Sequence, residues 1–129
     1  MLMGILYCLQ LFGCQIKRTS EVPQRAVLKL VDFNTESPVH VDCDSLDSFF
    51  GKKVTVFTLT DRVVLDSVAA ILAGLTPSCK GFKPDVRFVM DVHYQDNRMK
   101  RLCMSDIALE IEGVEMQIAL QLVLLIRAC

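Results

Sequence analysis

The 129-residue sequence contains no tryptophan, two histidines, four prolines and six glycines. So little proline and glycine excludes collagen-like and low-complexity chains. No charge of one sign dominates: 14 Lys and Arg face 15 Asp and Glu, a formal net charge of −1. Such a chain has no overall field to draw in phosphate backbones, which excludes a nucleic-acid binder of the usual basic kind. A Gly-rich phosphate loop, a Cys-x-x-Cys pair and a Gly-x-Ser-x-Gly nucleophile elbow are all missing, so the strongest enzyme signatures are absent and no cofactor is expected. No apolar run reaches the roughly 20 residues that a membrane-crossing helix needs. There is no internal repeat.

What the sequence does have is apolar mass. At 52% hydrophobic and 22% charged residues, it buries a core without needing a metal or a dense disulfide frame, and its length suits one domain.

Residues 1–14 carry no charge, and polarity changes abruptly at Gln15, Lys17, Arg18, Thr19 and Ser20. The apolar run is too short to span a bilayer but matches the core of a secretory signal. Its end, Leu11-Phe12-Gly13-Cys14, resembles the lipobox of bacterial lipoproteins, which implies acylation of Cys14 on sulfur and processing to a mature N-terminus there. The competing use of Ile5, Leu6, Leu9, Leu11 and Phe12 is as a buried N-terminal element. The expected organisation is a signal and lipobox leader over 1–14, a polar tether over 15–25 and a single domain over 26–129. Two or more acyl chains at Cys14 would hold that domain stably at a membrane surface.

Within the domain, residues 26–33 and 39–43 read as strands separated by a turn at 34–38. Residues 44–51 suit one or two helical turns, and 54–59 a third strand. Thr60-Asp61 offers a helix N-cap, and Leu65, Val68, Leu72 and Leu75 recur at helical spacing, giving a helix over about 61–74. Residues 85–95 alternate, with Val86, Phe88, Met90, Val92 and Tyr94 on one face and Arg87, Asp91 and His93 on a solvated one. A turn at Asp96-Asn97 returns the chain over 99–105. Ile107, Leu109 and Ile111 alternate before a turn at Glu112-Gly113, and residues 117–127 read as a closing helix. The fold expected is therefore α+β, a mostly antiparallel β-meander with one main helix after the third strand and a C-terminal helix.

With Thr60-Asp61 opening the helix, then Arg101-Leu102-Cys103-Met104-Ser105 and Ile111-Glu112-Gly113-Val114-Glu115-Met116, this layout resembles small lipoproteins and envelope proteins of uncharacterised function from bacteria with two membranes. The resemblance is architectural, spans about three-quarters of the chain and brings no catalytic residue.

Two echoes supply the only constellation of chemical groups: His40 with Asp42 on one expected strand, and Asp91 with His93 on another. Two imidazoles and two carboxylates hold a zinc-like ion only if those strands are neighbours in register. The plainer reading is a solvated sheet face with no metal site. Once Cys8 and Cys14 are set aside, Cys43, Cys79, Cys103 and Cys129 remain, and three pairings are open. Buried free thiols at Cys43 and Cys103 are the alternative. Lys52-Lys53 and Arg98, Lys100 and Arg101 read as solvated hairpin ends, and Phe49-Phe50 as core. The sequence thus points to a non-catalytic binding, inhibitory or structural module of the bacterial cell envelope. It would be anchored to the membrane by lipid and meet an unidentified protein partner, with no nucleic acid involved. The alternative is a small metal-dependent hydrolase using His40, Asp42, Asp91 and His93.

Overall fold

A computed structural model describes residues 22–117. The leader with Cys14, most of the tether, Cys129 and nearly all of the expected closing helix lie outside the described residues. Six strands form one antiparallel sheet: β1 (Pro23–Leu30), β2 (Thr55–Leu59), β3 (Phe88–Tyr94), β4 (Met99–Met104), β5 (Leu109–Ile111) and β6 (Val114–Met116), in the order β2-β1-β3-β4-β5-β6. Two α-helices accompany them, the short α1 (Leu46–Phe50) and the longer α2 (Arg62–Ala73). The fold is α+β.

β2 and β3 flank β1 and are both antiparallel to it, so the chain crosses from one to the other through α2. The N-cap expected at Asp61 forms: its carboxylate accepts from the amides of Val63 at 2.9 Å and Val64 at 3.1 Å, satisfying two donors that the helix start leaves open. The face carrying Leu65, Val68, Ile71, Leu72 and Leu75 packs on the sheet.

Strand register sorts the side chains into two faces. Leu28, Met90, Leu102 and Ile111 stand in one row across four strands, and Leu30, Phe88, Met104, Leu109 and Met116 in the next. Both rows belong to the core under α2. The turns use left-handed backbone: Asn97, a residue that tolerates it, stands at φ 63° in the β3–β4 hairpin, and Gly113 at φ 78° follows Glu112 at φ 50° between β5 and β6. Two consecutive positive φ angles in a two-residue loop match the twist of the strands they join.

The opposite sheet face is covered as well, by residues 31–54. Val31, Val41, Leu46 and Phe50 pack there against Val86, Val89 and Cys103 in a second buried cluster. Several expectations change as a result. No strand forms at 39–43, so the main helix follows the second strand and not the third. Val41 meets its neighbour through one backbone bond, Val86 amide to Val41 carbonyl at 2.8 Å, while its own amide donates to the Asp85 carboxylate at 2.8 Å. A carboxylate standing where a strand carbonyl would be ends the ladder after one rung. Val86 belongs to this second cluster and not to the face of Phe88. β1 opens at Pro23, three residues before the domain start expected at Ala26. Arg87 and Asp91, expected on a solvated face, are buried at 5% and 8% exposure. Phe50 is core, but its neighbour Phe49 is exposed.

Candidate functional site

The chemistry of the molecule concentrates on the sheet face under residues 31–54. Alternation along β3 puts Val89, Asp91 and His93 there, and the hairpin register sets Cys103 opposite Val89 and Arg101 opposite Asp91. The Arg101 guanidinium bonds Asp91 twice, Nε to Oδ1 at 2.8 Å and Nη2 to Oδ2 at 3.1 Å. Its Nη1 donates to Asp44 of the covering segment at 2.9 Å. Hydrogen bonding to Asp91, reinforced by the nearby Asp44 charge, holds the Arg101 pKa above its ordinary value. The backbone amide of Arg101 donates to Glu112 at 2.7 Å. Lys29 on β1 makes a further ion pair with Asp47 of α1.

A covalent tie reinforces these ionic ones. Cys43, in the covering segment, is joined to Cys103 on β4 by a disulfide, with Cα atoms 5.7 Å apart. One of the three pairings open from sequence contains this bond, and the three-dimensional contact between the covering segment and β4 selects it. Among the described residues, Cys79 is the free cysteine and is exposed. Glu110 faces Cys103 across the β4–β5 ladder, and its Oε1 lies 3.3 Å from Cys43 Sγ. A disulfide sulfur has no proton to donate, so this is contact and not a thiol hydrogen bond.

A second arginine fastens the other end of the covering segment. Arg87 donates from Nε to the Thr35 carbonyl at 2.9 Å, and from Nη1 and Nη2 to the Asp85 carboxylate at 3.1 and 3.2 Å. Its guanidinium stacks 4.8 Å from the centre of the Phe50 ring. Burial pushes the Asp85 carboxyl upward, but the Val41 amide and the Arg87 guanidinium outweigh it, and the net pKa falls below 3.8.

The chain matches no protein-family model, no curated protein and no solved structure.

His40 and Asp42 lie in the irregular segment ahead of a short 3-10 turn, 3.9 Å apart at Nε2 and Oδ1, and both are exposed. Asp91 is committed to Arg101. Among the described residues, the group of potential ligands within 4.8 Å of one another is Cys43, Cys103 and Glu110; His40, Asp42, Asp91 and His93 are not gathered in such a group. Arg101 is no solvated hairpin end but the hub of the ionic contacts. Its pairing had a signal in the sequence: about a turn centred on Asp96, Asp91 and Arg101 are equidistant. Asp44, Glu110 and the Cys43 bond had none, because no local pattern gives the path of residues 31–54.

Chemically, this arrangement clamps. Among the described residues, no buried side-chain nitrogen or oxygen lacks a hydrogen-bond partner, so the polar groups of this face are spent on one another. The clamped segment presents Val39, His40, Asp42 and Phe49 to solvent.

Proposed function

We propose that the chain is a non-catalytic binding module of the bacterial cell envelope, exported and held at the membrane by lipid on Cys14. The observation that carries this reading is the Cys43–Cys103 disulfide, which joins residues 60 apart in sequence. Such bonds persist in oxidising compartments and are rare where cellular thiols keep cysteines reduced. Two independent sequence features point the same way, the uncharged leader and the Gly13-Cys14 junction. For a binder, the fastened covering segment is the natural contact surface. Its base is fixed by a disulfide and by ion pairs to Arg101 and Lys29, so little conformational freedom is lost when a partner docks on Val39 and Phe49. No helix among the described residues is long and apolar enough to cross a membrane, and the lipid supplies the attachment in this reading.

The test is to express the full chain in a bacterium with two membranes and analyse the envelope fraction. Intact-mass and peptide analysis should find acylated Cys14 at the mature N-terminus, and Cys14→Ser should abolish acylation and release or misprocess the protein. A cytoplasmic chain retaining Met1, with no mass added at Cys14, overturns the proposal.

A further inference from the structure

A carboxylate stands against the two sulfurs of the Cys43–Cys103 bond. Glu110 is the register partner of Cys103 across the β4–β5 ladder, and its Oε1 lies 3.3 Å from Cys43 Sγ. The two sulfurs and a Glu110 carboxylate oxygen all lie within 4.8 Å of one another. We propose that, once the disulfide is reduced, Cys43, Cys103 and Glu110 bind one zinc ion. The cysteine pair then has two states, an oxidised one that is cross-linked and a reduced one that holds metal.

The three side chains are brought together by contacts other than the S–S bond. In the turn between β4 and β5, Ser105 Oγ accepts from the amides of Ile107 and Ala108 at 3.2 and 3.0 Å, and the Ser105 amide donates to the Ala108 carbonyl at 2.9 Å. This closed turn sets Cys103, two residues before it, opposite Glu110, two residues after it. Cys43 sits between two anchors of its own: the Val41 amide on Asp85 at 2.8 Å, and the Asp44 carboxylate on Arg101 at 2.9 Å. Breaking the disulfide leaves these anchors in place.

The donor set suits zinc. Two thiolates and a carboxylate supply three protein ligands, and water completes a tetrahedron. Ligand atoms around a tetrahedral zinc lie about 3.5 to 4 Å from one another, a spacing that sulfurs freed from their bond reach by side-chain rotation. Charge favours a cation as well. Glu110 faces Glu115 directly across the β5–β6 ladder, and like charges placed opposite each other repel, so a positive ion beside Glu110 relieves that repulsion. Arg101, two residues before Cys103, has its own charge offset by Asp91 and Asp44.

A dithiol reductant supplies the electrons. Two electrons and two protons convert the Cys43–Cys103 bond to two thiols, and the reductant becomes a disulfide. Zinc then displaces both thiol protons to solvent and is left bound by two thiolates and the Glu110 carboxylate. Exchange with an oxidised dithiol takes the two electrons back, re-forms the bond and releases the metal. The inference rests on these three side chains alone and does not depend on lipid at Cys14.

The experiment uses the full chain carrying Cys8→Ser, Cys14→Ser, Cys79→Ser and Cys129→Ser, so that only the proposed ligands remain as cysteines. The protein is reduced anaerobically with a phosphine, which is converted to its oxide, then given zinc and desalted. Elemental analysis should find one zinc per reduced chain and none on the oxidised chain. Cobalt in place of zinc should give a thiolate-to-metal charge-transfer band. Zinc should raise the thermal midpoint of the reduced chain, because it binds the folded form. Glu110→Gln in the same background should keep the disulfide and the oxidised fold, checked by circular dichroism, yet weaken zinc binding by about tenfold or more. The proposal is overturned by a reduced chain that binds no stoichiometric zinc, by an oxidised chain that keeps it, or by undiminished affinity in Glu110→Gln. Zinc that binds without raising the thermal midpoint overturns it too, since the metal would then be held by the unfolded chain.

Discussion

Arg101 on β4 and Asp91 on β3 face each other directly in the hairpin and form two parallel hydrogen bonds, at 2.8 and 3.1 Å. The planar guanidinium fork matches the carboxylate, and the third contact, to Asp44, brings in a residue 57 positions away along the chain. One side chain therefore joins two neighbouring strands to the segment that covers them.

Removing Arg101 strands a carboxylate that is 8% exposed. The pair lies between an exposed ion pair, worth about 0 to 1 kcal/mol, and a fully buried one, whose breaking costs about 3 to 5. Arg101→Ala should therefore lower unfolding free energy by about 2 to 3 kcal/mol. Asp44→Ala, on an exposed partner, should cost less than about 1 kcal/mol. Arg101→Lys should recover only part of the loss, because an ammonium cannot form the double bond. Urea unfolding of the four proteins checks the order; equal losses from Arg101→Ala and Asp44→Ala would contradict it.

Cys43 and Cys103 close a loop with a sequence separation of 60, for which restriction of the unfolded chain gives about 4 kcal/mol. Reduction, Cys43→Ala and Cys103→Ala should each lower stability by a similar amount, and the double substitution should add little more because the same bond is lost. Peptide mapping without reductant should recover Cys43 linked to Cys103. A linkage of Cys43 or Cys103 to Cys79 or Cys129, or a parent protein indifferent to reductant, would rule the pairing out.

Phe88 is 1% exposed at the centre of the core beneath α2. Phe88→Ala should cost about 3 to 5 kcal/mol, a large share of the roughly 5 to 15 kcal/mol that stabilises an ordinary domain. His93→Ala, on the opposite face, should cost less than about 1 kcal/mol. Thermal unfolding followed by circular dichroism separates the two.

Asp85 shapes the acid limb of stability. Its folded pKa lies below 3.8 because the Val41 amide and Arg87 outweigh the effect of burial, so at low pH the unfolded chain binds its proton first. The stabilisation is complete above the unfolded pKa of about 3.9 and is lost as pH falls through the folded value. Asp85→Asn should be less stable than the parent at neutral pH and should lose less stability on acidification. Urea midpoints from about pH 6 to about pH 2.5 measure the difference; parallel pH profiles would show that Asp85 has no part in it.

Much of the sheet beneath α2 was legible along the chain. Phe88, Met90, Val92 and Tyr94 alternate because a strand with one core face selects side chains at a period of two, and Leu65, Val68, Leu72 and Leu75 recur because a helix repeats every 3.6 residues. Asp61, Asn97 and Gly113 punctuate these elements through short-range chemistry, a side-chain cap and tolerated positive φ angles.

The other face was not legible for an equally physical reason. Residues 39–43 carry strand-like β-branched composition, yet composition does not reveal that the Asp85 carboxylate, 44 positions from Val41, takes the amide that a ladder would need. Arg87 and Asp91 look solvated because charged residues alternate with apolar ones there, and only the covering segment, with Thr35 and Phe50 against Arg87 and Asp44 against Arg101, turns that face into an interior. Periodicity and turn chemistry act over a few residues, so the sequence by itself determined the α+β class, α2 and the β3–β4 hairpin. Which cysteine meets Cys103, which acid meets Arg101, and that the sheet is covered on both sides depend on contacts across about 40 to 60 residues, and those were decided by tertiary packing alone.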